Sequence, residues 1–357
     1  MCIKMIRQSY IKDNRKRILF IIIIGIISII LFFVSLFVGS SNISFADAFN
    51  ALFGKGEKAN ILIMHNVRLP RAIAALVLGF GMGISGLMMQ TNLNNDMASP
   101  ATLGVSGAAV LGANIAIIIL SGGVVNTANG TNFSSDNPYF VSFIAFLFSL
   151  GSIILILILA KIKKFSPSTI ILIGIALGSI YEAITTLIQY FAVDTRLTSA
   201  VFWSFGDLER GNMRINYIII GLTLVSFIIF MLLSKNYNAI SSGDEVAKTL
   251  GVNTNFTRFV SLLLASLITA ISVANFGIIG FIGIIAPHIV KRLIGNNHRF
   301  VITASGIMGS IILLISDILS KVLMNGFSLP VGAITAIIGA PFFLYIVFTK
   351  SRGNINA

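Results

Sequence analysis

The chain has 357 residues, of which 56% are hydrophobic and only 10% charged, with a mean hydropathy of +0.96. A soluble domain carries about 25% charged residues, so this composition excludes a water-covered globule and selects an all-α, polytopic membrane protein. Spanning helices satisfy their own backbone hydrogen bonds in lipid, and an outer-membrane barrel would need short runs of alternating polarity in place of these continuous ones. The net charge of +13 would point to nucleic acid in a soluble chain. In this chain the positive residues cluster at the ends of apolar runs, so they report orientation and no nucleic acid is implied. Three histidines and one cysteine make neither a Cys/His metal cluster nor an internal disulfide.

In chain order, residues 1–17 form a basic N-terminal segment with Lys4, Arg7, Lys12, Arg15, Lys16 and Arg17 against Asp13 alone. Residues 18–350 are expected to hold a single domain of ten transmembrane helices, and 351–357 a short tail. The first span, 18–38, is an uncleaved helix, because Gly39-Ser40-Ser41 is a poor signal-cleavage box. Residues 40–66 are polar, with an amphipathic piece near 45–53 lying along the interface. The second span, 72–90, contains Gly79, Gly81, Gly83 and Gly86, spacings that let helix backbones approach closely. A turn rich in Asn and closed by Pro100 separates it from the third span, 102–120. The loop 121–137 holds two formal glycosylation tripeptides, Asn129-Gly130-Thr131 and Asn132-Phe133-Ser134, which an Asn-rich loop also produces by chance. Spans four and five cover 139–160 and 168–190, and an aromatic and charged connector containing Trp203 leads to span six, 214–234.

Residues 235–257 form the longest late polar connection. Its centre, SSGDEVAKTLGVN, reads as a short helix capped by Ser242 or Asp244, with Glu245 and Lys248 on one face and Gly251 as the stop. Spans seven and eight, 258–276 and 278–293, are joined with almost no loop, and spans nine and ten cover 300–319 and 329–348. With both termini inside, 17 of the 25 Lys and Arg residues fall on the inner side, as the positive-inside rule requires. That topology leaves Arg68, Arg71 and Lys321 on the outer side, against the charge bias. Within the spans the acidic residues are Glu182 and Asp317. Asp317 sits four residues before Lys321, which explains it as a local pair, whereas Glu182 either lines a polar route or bonds to a neighbouring helix. The sequence contains no GxxxxGK[ST] nucleotide loop and no TVGYG-like filter. Breaks near Asn92 to Pro100, at 276–280 and at Gly339-Ala340-Pro341 fit either a transport path or glycine-mediated packing.

Five separated segments carry a resemblance: RLPRAIAALVLGFGMGISGLMMQ, ASPATLGVSGAAVLGAN, GDEVAKTLGVN, GFIGIIAPHIVKRLIGNNHR and LPVGAITAIIGAPFFLYIV. Over residues 42–350 the chain resembles the iron-siderophore and vitamin B12 permease family of bacterial ABC importers. The resemblance implies a permease without its own ATPase site, binding no cofactor directly, while partner subunits use ATP and Mg. Its implied partners are a second permease, identical or related, two cytoplasmic ATPases, and an external substrate-binding protein, expected as a lipoprotein. The implied setting is a bacterial cell membrane with both termini cytoplasmic, and the implied cargo is a ferric siderophore, with cobalamin or haem as alternatives. An ion-gradient carrier would lack the ATPase-coupling helix, and a scaffold would need neither that helix nor the outer arginines.

Carried onto this sequence, the resemblance makes Arg68, Arg71 and Lys321 docking residues for the binding protein. It makes Gly243, Asp244, Glu245, Lys248 and Gly251 the ATPase-coupling element, and Gln90, Asn95, Glu182, Pro287 and His288 pathway or gate candidates. No metal-ligating residues are implied. One departure stands out: Asn95-Asp96-Met97 replaces the family's usual Asn-Pro-Leu, which removes a stiffening proline and adds a carboxylate.

Overall fold

A run of thirty-six residues without proline opens the chain, and it folds as one helix, α1 (Cys2–Phe37). The computed structural model describes residues 2–39, 43–120, 138–323 and 328–353; the two glycosylation tripeptides lie outside them. The basic segment expected to stand apart is thus continuous with the first span, because nothing between residues 2 and 24 breaks a helix. Arg17 Nε donates to the Ile294 carbonyl at 3.0 Å, satisfying one orphan acceptor at a distant helix end.

The short helix α2 (Phe45–Leu52) is capped by Ser44 Oγ, which accepts from the Asp47 amide at 3.2 Å. Next, α3 (Lys58–Ile63), a π-turn over Met64–Arg68 and α4 (Leu69–Asn92) form one helical stretch, Lys58–Asn92. The polar connection expected to reach residue 66 therefore ends at Lys58. The hydrogen-bond ladder widens by one residue just before Pro70, whose ring removes an amide donor. Further along come α5 (Val105–Asn114), extended by a π-turn over Ile115–Ile119, then α6 (Pro138–Ile162) and α7 (Pro167–Tyr190). α8 (Asp194–Ser204) and a 3-10 turn at Leu208–Arg210 precede α9 (Met213–Leu232). α10 (Ser234–Ile240) and α11 (Asp244–Thr249) build the late polar connection. α12 (Thr254–Phe276), α13 (Ile282–Ile294), α14 (His298–Val322) and α15 (Val331–Gly353) complete the described chain.

The architecture is an all-α polytopic membrane bundle. Among the described residues seven helical stretches are long and apolar enough to cross a bilayer, and two shorter apolar ones cover Val105–Ile119 and Val331–Leu344. Ten comparable spans were expected, and the difference has local causes. Gly104, at φ +79°, delays α5, and the chain unwinds between α12 and α13. At about 1.5 Å per residue, the thirteen residues of α13 reach about 20 Å, short of a hydrocarbon core of about 30 Å.

The unwound segment 277–281 also corrects the loop-free joint expected there. Gly277 has φ +76° and Phe281 φ +65°, and the backbone between them is accommodated by neighbouring loops. The Ile278 amide donates to Ser204 O at 3.2 Å, the Asp207 amide to Phe276 O at 2.8 Å, and the Gly332 amide to Gly206 O at 3.0 Å. Non-helical backbone at membrane depth is tolerated where protein satisfies it in this way.

α4 is the buried centre of the bundle, packed against α1, α9, α12, α13 and α14. Its glycine face explains the close approach. A Cβ at Gly83 would sit 2.2 Å from the Ser305 carbonyl oxygen of α14, and one at Gly86 would sit 1.8 Å from the Gly283 oxygen of α13. Both contacts are with backbone, which cannot rotate away. Gly86→Ala is therefore expected to cost about 1–3 kcal/mol by overpacking, read as a lower Tm of the detergent-purified protein. Gly221→Ala, with no atom within 4 Å of the new Cβ and a helix-interior position in α9, is expected to leave Tm unchanged or slightly higher.

Candidate functional site

Two polar clusters lie at opposite ends of α4. The first surrounds Asp317 of α14, which is fully buried. Its Oδ1 accepts from Arg71 Nε at 2.6 Å, and its Oδ2 pairs with Lys321 Nζ and accepts from Ser35 Oγ, each at 2.6 Å. Lys321 Nζ also donates to the Ser35 carbonyl at 2.8 Å. Arg71 completes its fork through Nη2 to Ser320 Oγ at 2.9 Å and Nη1 to Glu209. Arg68 Nη1 donates to Phe37 O at 3.0 Å. The expected Asp317–Lys321 local pair is thus real but is one side of a larger network joining α1, α4, α14 and the 208–210 turn.

Arg68, Arg71 and Lys321, the expected docking residues, are gathered at this one end as the topology required. They are only 4%, 3% and 6% exposed, so they do not form an open basic patch. Glu209 is the accessible part of the network, 43% exposed at its side chain, and it accepts from Ser328 Oγ at 2.6 Å.

At the other end of α4, Gln90, Thr91, Asp96, His288, Lys291 and Arg292 line a polar cleft of about 440 Å³. Gln90 Nε2 donates to the Ile284 carbonyl at 3.2 Å, while its Oε1 accepts from Lys291 Nζ at 3.0 Å. Lys291 lies 3.7 Å from Asp96, so the carboxylate replacing the family's proline acquires a cationic partner across the cleft. Asn95 Oδ1 accepts from the Met97 amide at 2.9 Å, closing the turn without a proline. Pro287 is buried inside α13 and His288 is half-buried at the cleft. Glu182 stands apart from both clusters, exposed on α7.

The segment expected to contact the ATPase forms the short helix read from the sequence. Gly243 and Gly251, at φ +113° and +80°, bracket α11, and Glu245 and Lys248 are exposed. The start differs: Gly243 occupies the cap position with no side-chain hydrogen bond, so neither Ser242 nor Asp244 caps the helix. Asp244 turns inward, and its Oδ2 accepts from Arg258 Nη1 at 2.7 Å. Arg258 is 2% exposed, and its Nε donates to the Asn92 carbonyl at 2.8 Å.

Of the two histidines that line the cleft, His298 is the buried one. Its Nδ1 lies 2.9 Å from Asn238 Oδ1 and its Nε2 lies 2.8 Å from Thr91 Oγ1. An amide oxygen on Nδ1 assigns the proton to that nitrogen and leaves Nε2 to accept from threonine. In α10, Tyr237 OH lies 2.8 Å from Ser261 Oγ, and burial pushes the phenol above its ordinary value. Among the described residues no group of three or more His, Cys, Asp or Glu could hold a metal ion.

The FecCD transport family matches residues 17–349. The chain belongs to that family. It is 42% identical to a protein of Methanocaldococcus jannaschii named as an ABC transporter permease, over 96% of this chain and 97% of the relative. It is 33% identical to a permease of the Fe(3+)-citrate import system of Bacillus subtilis, over 96% and 98%. Among solved structures, a transporter described as of the metal-chelate ABC type, in an inward-facing conformation, matches with a TM-score of 0.77 and 26% identity. That match covers 93% of this chain and 99% of the other.

The resemblance drawn from five motifs is therefore sound over nearly the whole chain. Sequence reasoning missed Arg258, His298, Ser35 and Glu209 as members of polar clusters. Only the basic residue just after the coupling loop hinted at the first of these.

Removing one partner of a buried ion pair leaves an uncompensated charge, worth about 3–5 kcal/mol, whereas a half-exposed pair is worth about 1 kcal/mol or less. Asp317→Asn is accordingly expected to lower Tm sharply and Glu209→Gln only slightly, in thermal melts of the purified chain.

Proposed function

We propose that this chain is the transmembrane permease subunit of a binding-protein-dependent ABC importer that carries an iron chelate, a ferric siderophore, into the cell. The carrying observation is the exposed α11 between Gly243 and Gly251, at the same end of the bundle as the Lys291–Asp96 cleft, in a chain that belongs to a transport family. A short rigid helix offering Glu245 and Lys248 to solvent has no use in an ion-gradient carrier, and it suits the cleft of a cytoplasmic ATPase. The cargo class rests on relatives named for Fe(3+)-citrate, iron(3+)-hydroxamate and hemin import.

Ten crossings are obtained when α13 joins the seven long and two shorter apolar helices. Both termini then lie on the cytoplasmic side, as the distribution of lysine and arginine favours. A second permease, identical or related, covers the exposed face of α7. Lipid cannot solvate the Glu182 carboxylate, so this face belongs to a polar route between two subunits. ATP and Mg act on the partner ATPases, with no cofactor held by this chain.

At the outer end a substrate-binding protein meets the region of Arg68, Arg71 and Lys321. Because Arg71 is already engaged, an acidic group of the partner competes with Glu209 for its guanidinium. Proteoliposomes holding this chain, its ATPase and its binding protein are expected to accumulate radiolabelled ferric siderophore only with ATP. Uptake driven by an ion gradient without the ATPase would overturn the reading. Glu209→Gln is expected to tighten binding-protein docking at low salt, measured by surface plasmon resonance.

A further inference from the structure

Arg258 sits where four separate pieces of chain meet, and its guanidinium reaches the other three. Nη1 and Nη2 grip both carboxylate oxygens of Asp244, at the start of α11, at 2.7 and 2.5 Å. Nε binds the carbonyl of Asn92, the last residue of α4, at 2.8 Å. Nη1 also lies 3.5 Å from the Phe165 carbonyl in the turn between α6 and α7, and the arginine itself belongs to the N-terminal part of α12. The adjacent Phe259 stacks edge-on against Phe165, with centroids 6.2 Å apart. Lys164 and Phe165 in that turn both have left-handed backbone, φ +49° and +54°. Two consecutive non-glycine residues in this region persist only where their surroundings hold them.

The fork matters physically. A bidentate arginine–carboxylate pair fixes angle as well as distance, and with Nε committed elsewhere the guanidinium becomes a rigid three-way joint. A lysine would keep the charge and lose the joint. The same end of α4 is held independently from α10, because Thr91 bonds to His298 and His298 to Asn238. Thr91 also lines the polar cleft. Displacement of α11 therefore meets a stiff connection to α4, and through the Phe165 turn to α7, which carries Glu182.

Resting on the transporter reading above, we propose that Arg258 is the positioning residue that transmits movement of α11 to the cleft end of α4 and to the α6–α7 turn. Its function is mechanical: it couples ATPase movement to the gate and touches neither cargo nor nucleotide.

The test uses the assembled transporter in proteoliposomes. Spin labels at Ser242→Cys and Met97→Cys, both exposed positions, report the distance between the α11 end and the α4 turn with and without ATP. In the wild-type background that distance is expected to hold to within about 2 Å, the scale of a packed-helix shift. In Arg258→Lys it is expected to change on ATP binding. Uptake of a ferric hydroxamate per ATP hydrolysed is expected to fall about tenfold, a usual size for coupling between sites, with the ATPase still co-purifying. Asp244→Asn, at a carboxylate 38% exposed, gives the same signature if the arginine variant fails to assemble. Wild-type spacing and wild-type uptake per ATP in these variants would overturn the proposal. So would a loss of uptake matched by an equal loss of hydrolysis. Absence of ATP-driven uptake by the unmodified transporter would count against the functional reading instead, and the label distances would still judge the joint.

Discussion

The structure depends on how closely other helices can approach α4. Glycines at 79, 83 and 86 remove the side chains that would keep α13 and α14 at ordinary distance, and the backbone of α14 meets them at Ser305 and Gly309. Without a hydrophobic force between helices in lipid, such direct packing is what holds a bundle together. It also makes α4 a rod of about 30 Å between Arg71 and Asn92 at 1.5 Å per residue, with a polar cluster at each end.

Those clusters use the few acidic residues sparingly. Twelve Asp and Glu face twenty-five Lys and Arg, so each buried carboxylate can be shared by more than one cation. Asp317 serves Arg71 and Lys321 together, while the half-exposed Asp244 holds both terminal nitrogens of a single cation, Arg258. Both networks tie helix ends to one another, where freed backbone carbonyls of Asn92, Phe37 and Ser35 supply further acceptors. Glu182 breaks the pattern, standing exposed on α7, away from either network.

Several features were legible in the sequence because they are local. Gly243 and Gly251 bracket a six-residue helix, and only residues tolerant of positive φ suit those positions. Apolar runs located five of the long helices to within a few residues, since a crossing helix must be apolar along its length, but the first two begin well before their apolar cores, at Cys2 and Lys58. The break between α12 and α13 was visible at 276–280, but not how far the chain unwinds there. Its apolar residues, Ile278 and Ile279, look helical in sequence, and the Ile278 amide is satisfied from outside the helix by the Ser204 carbonyl. Arg258 read as one more inner-side cation, because its partners lie 14 and 166 residues away. Arg71 read as an outer-side docking group with no partner in the chain, because Asp317 is 246 residues distant.

By itself the sequence determined the membrane class, the helical architecture, the glycine face of α4, the glycine-bracketed helix α11 and the family. Each of these follows from composition or from residues close together in the chain. Tertiary structure alone decided which charges are buried, that Asp96 meets Lys291, and that Asp244 turns inward to Arg258 instead of capping its own helix. Those outcomes depend on which helix ends meet in space. In a low-dielectric bundle a charged side chain takes whatever partner the packing brings within reach, however far away that partner lies in the chain.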